Sequence, residues 1–353
     1  MGSARSLPVG LEVVRRKLGK LFTPLTARRA GIMLASLPRS IRRVKALDAR
    51  ARAQGKTLRL IVLPERMGDV IAAEPIAREL RAAAGDYLIW VIGRSFADLV
   101  QFNPNIDDIL EITCLTEWMA LDALTPGVAK IRLYVDGIHC SWFGGPALRN
   151  RNAFGIDMDT YFDHGSLLEV FSLLGLGRRL NERPRAWPDP AFDAQGWVSQ
   201  NGLSGGFVAF HCGAAANAGR LWPPERFQAV ADWVLANTDL CVLEVGLEPV
   251  LAHNDRVRRL GGALPLSQQT AVLAQATAFL GGDSGFAHLA NALDLPSVIL
   301  LGRYRDFKDQ MPFSGPWKTG EGVTIMRTDG PIDQIAQADV ISALNSRTEP
   351  VKG

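Results

Sequence analysis

The sequence predicts an α/β protein with two doubly wound parallel sheets in tandem behind a basic helical arm. Short Leu, Ile and Val runs alternate with segments of helical period in both halves of the chain, which is the pattern of parallel sheets covered by helices. Between the two halves, at Asn181 to Asp193, Pro184, Pro188 and Pro190 give the composition of a linker. Charge is divided as well: the first 56 residues hold 14 Lys and Arg against 2 acidic residues, and the remainder 25 against 34. Three segments are therefore expected: an arm over 1–56, a first domain over 57–183 and a second over 184–353. A chain of 353 residues, 47% apolar, is long enough to fill a core in each domain.

Several function classes are set aside by composition. Cys114, Cys140, Cys212 and Cys241 are scattered and form no Cys-x-x-Cys pair, so neither a disulfide framework nor a zinc site is suggested, and they read as reduced core residues of a cytoplasmic protein. No apolar run approaches the roughly 18 to 20 residues of a membrane span, and no signal-peptide core follows the basic start.

In the arm, Leu11, Val14, Leu18, Leu21 and Phe22 keep helical spacing beside Arg15, Arg16, Lys17 and Lys20. Leu34, Leu37, Ile41 and Val44 repeat the pattern beside Arg39, Arg42, Arg43 and Lys45. Such a helix suits the surface of an anionic bilayer, which is the reading favoured for it. The competing reading packs the same stripes on the protein's own body with the charges solvated. A nucleic-acid arm lacks a recognition motif and interleaved aromatics.

Leu58 to Leu63 reads as the first buried strand, leading through Pro64-Glu65-Arg66-Met67-Gly68-Asp69 into a helix over 70–84. Strands are expected at Tyr87 to Gly93, Asp108 to Ile112 and Ile131 to Val135, with helices near Phe96 to Phe102 and Thr116 to Leu124. From Asp136 to Asp163 the pattern gives way to Gly, Arg, Asn and aromatics, including Trp142, Phe143, Arg149, Arg151 and Tyr161. A loop of that length after a strand is often a binding loop, and its cations suit an anionic acceptor. Asp157-Met158-Asp159 within it has the carboxylate spacing of a divalent-metal site, but the motif is short and common, and a solvated loop is the favoured reading. Gly165 to Leu176 reads as a helix closing the domain.

The second half predicts strands at Phe207 to Phe210, Leu240 to Leu247 and Ser297 to Gly302. Helices are expected at Pro224 to Asn237, Pro249 to Leu260, Ser267 to Ala276 and Ile332 to Leu344. Between them lies the most informative stretch, 278–293. Ala278 to Gly282 is a short buried strand, and Ser284 to Leu293 a helix that starts at once behind an Asp/Ser capping pair. Free amides and the positive end of the helix dipole then face outward at a strand's carboxyl end, where open α/β sheets hold phosphorylated ligands. His288 follows Ser284 by one turn and shares its face. An ordinary capped helix with a packed His remains the alternative.

Three motifs in this order resemble glycosyltransferase family 9, the bacterial lipopolysaccharide heptosyltransferases. They are Pro64-Glu65-Arg66-Met67-Gly68-Asp69-Val70-Ile71 with Pro75, the loop Gly213 to Glu225 with Arg220, Trp222 and Pro223, and Gly281-Gly282-Asp283-Ser284-Gly285-Phe286-Ala287-His288-Leu289-Ala290. The resemblance covers roughly Leu58 to Leu344. It implies a GT-B fold, two Rossmann-like domains facing across a cleft, and inverting sugar transfer with no essential metal and no cofactor beyond the nucleotide-sugar. Asp69 matches the catalytic base, which takes the acceptor hydroxyl's proton, and Gly68, Arg149 and Arg151 are placed with it on the acceptor side. Arg220 matches the cation facing the departing diphosphate. Ser284, Gly285 and His288 match residues that hold that diphosphate, Asp283 orients their loop, and Glu248 matches an acidic residue on the nucleotide ribose. The chain departs from the family at Glu65-Arg66-Met67, where small hydroxyl residues are common, at Ala214-Ala215-Ala216, and in the arm.

The expected activity is transfer of a sugar, heptose from ADP-heptose, to a lipopolysaccharide-core or lipid-linked acceptor at the inner face of the cytoplasmic membrane. The expected partners are that donor, that acceptor and an anionic membrane surface, with no nucleic acid. A nucleotide-sugar epimerase or a non-catalytic nucleotide-sugar binder of the same architecture are the competing readings.

Overall fold

The computed structural model describes residues 24–83, 85–144, 148–213, 221–305, 307 and 310–348. A 30-residue helix, α1 (Pro24–Ala53), leads into a four-stranded parallel sheet of β1 (Leu58–Val62), β2 (Tyr87–Gly93), β3 (Asp108–Ile112) and β4 (Ala129–Arg132), in the order β3-β2-β1-β4. Helices α2 (Met67–Ala72), α3 (Glu74–Ala83), α4 (Leu115–Leu124) and α5 (Leu167–Leu176) accompany it. After α6 (Ala194–Gln200) comes a second parallel sheet: β5 (Phe207–His211), β6 (Cys241–Glu244), β7 (Val257–Arg259), β8 (Ala278–Gly282), β9 (Ser297–Leu301) and β10 (Val323–Arg327). Its order is β10-β9-β8-β5-β6-β7. Helices α7 (Pro224–Asn237), α8 (Leu266–Leu273), α9 (Gly285–Ala292) and α10 (Gln337–Thr348) complete it. The order reverses between β5 and β8, and a doubly wound sheet opens a ligand crevice at that point. Two parallel sheets of this kind are the GT-B arrangement. The four cysteines are all buried and free.

Several local expectations are corrected. The helix expected from Val70 begins at Met67 and breaks at Ala73, because Pro75 has no amide to donate and its ring crowds the turn before it. The helix expected near Phe96 is a 3₁₀ segment over Arg94–Leu99, and the strand expected at Ile131 to Val135 runs over Ala129–Arg132. The strand expected at Leu240 to Leu247 ends at Glu244. No helix forms over 249–260: the Glu244 carboxylate accepts from the Val250 and Leu251 amides at 2.6 and 3.1 Å, and the chain enters β7 instead. The terminal helix is split into a 3₁₀ turn at Ile332–Gln334 and α10.

The stripe of α1 favoured for a bilayer packs on the body. Val44, Leu47 and Ala51 are buried, and Leu37 and Ile41 lie against the same core. Ser40 Oγ donates to the buried Glu117 carboxylate at 2.7 Å, and Arg43 pairs with Asp108 at 2.6 Å. Leu25, Ile32 and Leu34 of the same helix stay exposed. The earlier stripe, Leu11 to Phe22, lies outside the described residues. Among those described, no helix is long and apolar enough to cross a membrane.

The linker is docked on the first domain, and further contacts join the two domains directly. Glu74 of α3, buried, accepts from the Arg185 amide at 2.9 Å and from Trp187 Nε1 at 3.3 Å, with Arg78 alongside. Asp98 reaches the first turn of α8, taking the Ser267 amide at 2.6 Å and its hydroxyl at 2.9 Å. Arg305 Nη2 pairs with Asp159 at 3.1 Å, and Nη1 donates to the Met158 carbonyl.

Candidate active site

The site begins where β8 hands over to α9. Ser284, extended at φ −151, caps α9 by accepting from the Ala287 amide at 3.3 Å, so the remaining first-turn amides point outward at the helix's positive end. His288 is 3% exposed, its ring 4.8 Å from that of Phe313, with Nε2 3.7 Å from Asp283 Oδ1. Asp283 therefore faces its own helix, which suits a residue that orients the turn. Next to it, at the end of β5, His211 pairs in register with Gly281 across the sheet's reversal point and lies 5.1 Å, ring to ring, from Phe286. Burial pushes the His211 imidazole down to about 4, and among the described residues its buried Nδ1 has no hydrogen-bond partner.

The first domain meets this turn directly, through α2 against α9. A methyl group built on Gly68 would lie 2.7 Å from His288 Cδ2, and one built on Gly285 would lie 2.6 Å from Met67 Sδ. The two glycines are thus required by mutual close approach: each motif supplies a bare backbone for the other's side chain. Asp69, the next residue along α2, is half-buried at this junction.

Arg66 precedes the junction with φ 68 and ψ 122, a conformation that costs a non-glycine residue about 1–3 kcal/mol. Its neighbours hold it there: Trp90 Nε1 donates to Leu63 O at 3.4 Å, the Gly93 amide to Pro64 O at 2.8 Å, and Ser141 Oγ to Glu65 at 3.2 Å. The Arg66 side chain remains open to solvent between the walls of the cleft. Desolvation by those walls works against its charge, but Asp69, Tyr304 and Tyr161 more than offset it, so its pKa is raised. Burial, with Tyr304 beside it, pushes the Tyr161 hydroxyl well up. Tyr161 and Phe162, from the first domain, pack with Tyr304 and Phe307, from the second, at ring separations of 5.1 to 6.1 Å.

Gly68, Asp69, Asp283, Ser284, Gly285 and His288 therefore meet at one junction. Arg149 and Arg151 are exposed on the 136–163 loop, Arg149 3.5 Å from Asp136, and among the described residues neither bonds to the junction. Glu248 is exposed on the loop after β6, while the buried Glu244 is occupied by two amides and Arg259. Arg220 lies outside the described residues. The carboxylates of the Asp157-Met158-Asp159 segment are engaged, Asp157 by the Asp159 and Thr160 amides and Asp159 by Arg305. Sequence reading assigned no role to Arg66, His211 or Tyr304. Arg66 was visible only as a departure from the family pattern, and His211 only as a His at a strand's carboxyl end.

Comparison with known proteins bears on the family and the fold. Residues 182–319 match the profile described as glycosyltransferase family 9 (heptosyltransferase). Among solved structures, a glycosyl transferase family 9 protein from Veillonella parvula superimposes with a TM-score of 0.59 at 18% identity, over 83% of this chain and 97% of that one. ADP-heptose LPS heptosyltransferase II of E. coli gives 0.61 at 17%, over 83% and 98%. E. coli heptosyltransferase WaaC, solved with ADP, gives 0.52 at 16%, over 82% and 100%. At these identities the likeness establishes the fold. A search of the curated proteins finds no matching relative.

Proposed function

We propose that this chain, which belongs to glycosyltransferase family 9 through residues 182–319, transfers a sugar from a nucleoside-diphosphate donor with inversion. In this reading the donor is ADP-heptose and the acceptor a lipopolysaccharide-core or lipid-linked sugar. The observation that carries it is the Gly68–His288 contact, which sets a half-buried carboxylate and an amide-rich helix start side by side at the crevice of the second sheet. The acceptor oxygen attacks the anomeric carbon from the face opposite the diphosphate, and its proton passes to the Asp69 carboxylate. The bond from the anomeric carbon to the diphosphate oxygen breaks, and its electron pair leaves with the phosphate. The charge that develops there is met by the first amides of α9 and by His288, with Arg220 as the cation the resemblance implies. No metal takes part in this step. The ADP bound by WaaC and the ADP-heptose named for heptosyltransferase II support the choice of donor.

The test is incubation with ADP-heptose and lipopolysaccharide-core acceptor, with and without chelator, alongside ADP binding by calorimetry. Transfer that survives chelation is expected. Failure to bind ADP together with no transfer from any nucleotide-sugar would overturn the proposal, and sugar isomerisation without acceptor would replace it with the epimerase reading.

The arm belongs to the same proposal as a membrane contact. Leu25, Ile32 and Leu34 are exposed on α1, as are Arg28, Arg39 and Arg42, and the more basic stripe before it adds charge.

A further inference from the structure

We propose that His211 is a donor-binding residue: its Nε2–H hydrogen-bonds to a ribose oxygen of the nucleotide, at the floor of the second sheet's crevice between Gly213 and Gly246. The inference rests on the transferase reading above and deepens it, since it names a contact that seats the nucleoside half of the donor.

Close packing places the ring. His211 is the last residue of β5, in register with Gly281 where the strand order reverses. Its ring centre lies 5.1 Å from that of Phe286, in the first turn of α9. A methyl group built on Gly246 would lie 3.2 Å from its Cδ2 and 3.3 Å from its Nε2, and one built on Gly213 would lie 3.7 Å from Nε2. The Nε2 edge is thus bordered by two bare backbones, from the loops after β5 and β6. Gly246 is fixed in that place: its φ of 116 suits glycine, and Gly261 packs against its carbonyl oxygen.

The chemistry follows from the two nitrogens. Nδ1 is enclosed and has no hydrogen-bond partner among the described residues. Burial disfavours the charged ring, so a single proton is divided between two sites. An N–H sealed from water without an acceptor is costly, so the proton sits on Nε2, at the edge a ligand or water can reach. His211 is therefore a neutral donor of fixed direction beside the start of α9. The amides of that helix suit phosphate, and an uncharged N–H set apart from them suits a sugar oxygen. A ligand that places its diphosphate on the α9 turn and extends toward the loop after β6 lays its ribose across the Nε2 edge. Glu248, exposed two residues beyond Gly246, borders the same path.

The experiment measures binding of ADP and of inorganic pyrophosphate by calorimetry, on the full chain and on three variants. His211→Gln carries an N–H to the place of Nε2, His211→Asn carries one to the place of Nδ1, and His211→Phe keeps a ring against Phe286 with no N–H at all. ADP affinity is expected to fall about tenfold in His211→Phe and His211→Asn, the scale of one lost hydrogen bond with its partner left unpaired, and to be largely kept in His211→Gln. Pyrophosphate is expected to bind all four proteins equally. Unchanged ADP affinity in His211→Phe, or a His211→Gln protein no better than His211→Phe, would overturn the inference. So would an equal loss for pyrophosphate, which would place the effect in the turn that starts α9. Wild-type protein that binds no ADP would overturn the donor reading and this inference together, whereas the variant results decide the role of His211 alone.

Discussion

Gly68 lies against the imidazole of His288 so closely that a single added methyl group would fall 2.7 Å from its Cδ2. Gly68→Ala must therefore move the ring or separate α2 from α9. Because misplacement by about 1 Å can cost a hundredfold in rate, transfer is expected to fall about that much. Steady-state kinetics with melting curves would check this: near-normal turnover with an unchanged melting temperature would show that the contact has no part in the reaction.

Asp69→Asn keeps the shape of the half-buried side chain and removes the proton acceptor. A loss of about 10²–10⁴ in kcat is expected with ADP affinity retained, the usual range for a general base. A variant that keeps full turnover would move the base elsewhere.

The sequence displayed the second half of this junction more openly than the first. Strand, capping Ser and helix at 278–293 are local features, written in a few consecutive residues, and β8 and α9 follow them closely. Arg66 becomes notable only when Tyr304, far away in the chain, is placed beside it by the second domain. The helix expected over 249–260 had helical composition on its side, but the carboxylate of Glu244 holds the amides of Val250 and Leu251 in another conformation. Periodicity likewise showed that the arm is amphipathic without showing which surface it faces.

His211 gives a pH dependence with a definite sign. Its imidazole falls from 6.5 to about 4 in the folded protein, so the unfolded chain takes up a proton first as the pH drops. Stability is complete above pH 6.5 and is lost progressively between about pH 6.5 and 4, by about 3 kcal/mol in all. Urea denaturation across that range would check it, and His211→Phe should flatten the slope there. An unaltered slope in that variant would assign the acid sensitivity to other groups.

Asp98 caps α8 from the opposite domain, since Pro265 before that helix offers no side-chain acceptor. Asp98→Ala should cost about 1 kcal/mol of stability. Loosening of the domain contact should appear as a larger radius of gyration in small-angle scattering. An unchanged radius with full stability would show that the remaining contacts hold the domains unaided.

Removal of residues 1–56 tests the membrane contact only jointly with folding, because α1 supplies Val44, Leu47 and Ala51 to the core. Deletion of residues 1–23 leaves that packing in place. It should weaken sedimentation with anionic vesicles, and added salt should weaken binding by the full chain. Equal vesicle binding by both proteins would remove the membrane role from that segment.

Helix α1 spans about 45 Å at the usual rise, and its far half is also anchored. Arg29 Nη1 donates to the Trp142 carbonyl at 2.8 Å, and its guanidinium stands 5.8 Å from the centre of that indole ring. One end of the rod is embedded in the first sheet's core and the other grips the long loop that carries Arg149 and Arg151. The arm thus ties that loop to the first sheet's core as a brace, so the loop's position depends on a helix that precedes the whole first sheet.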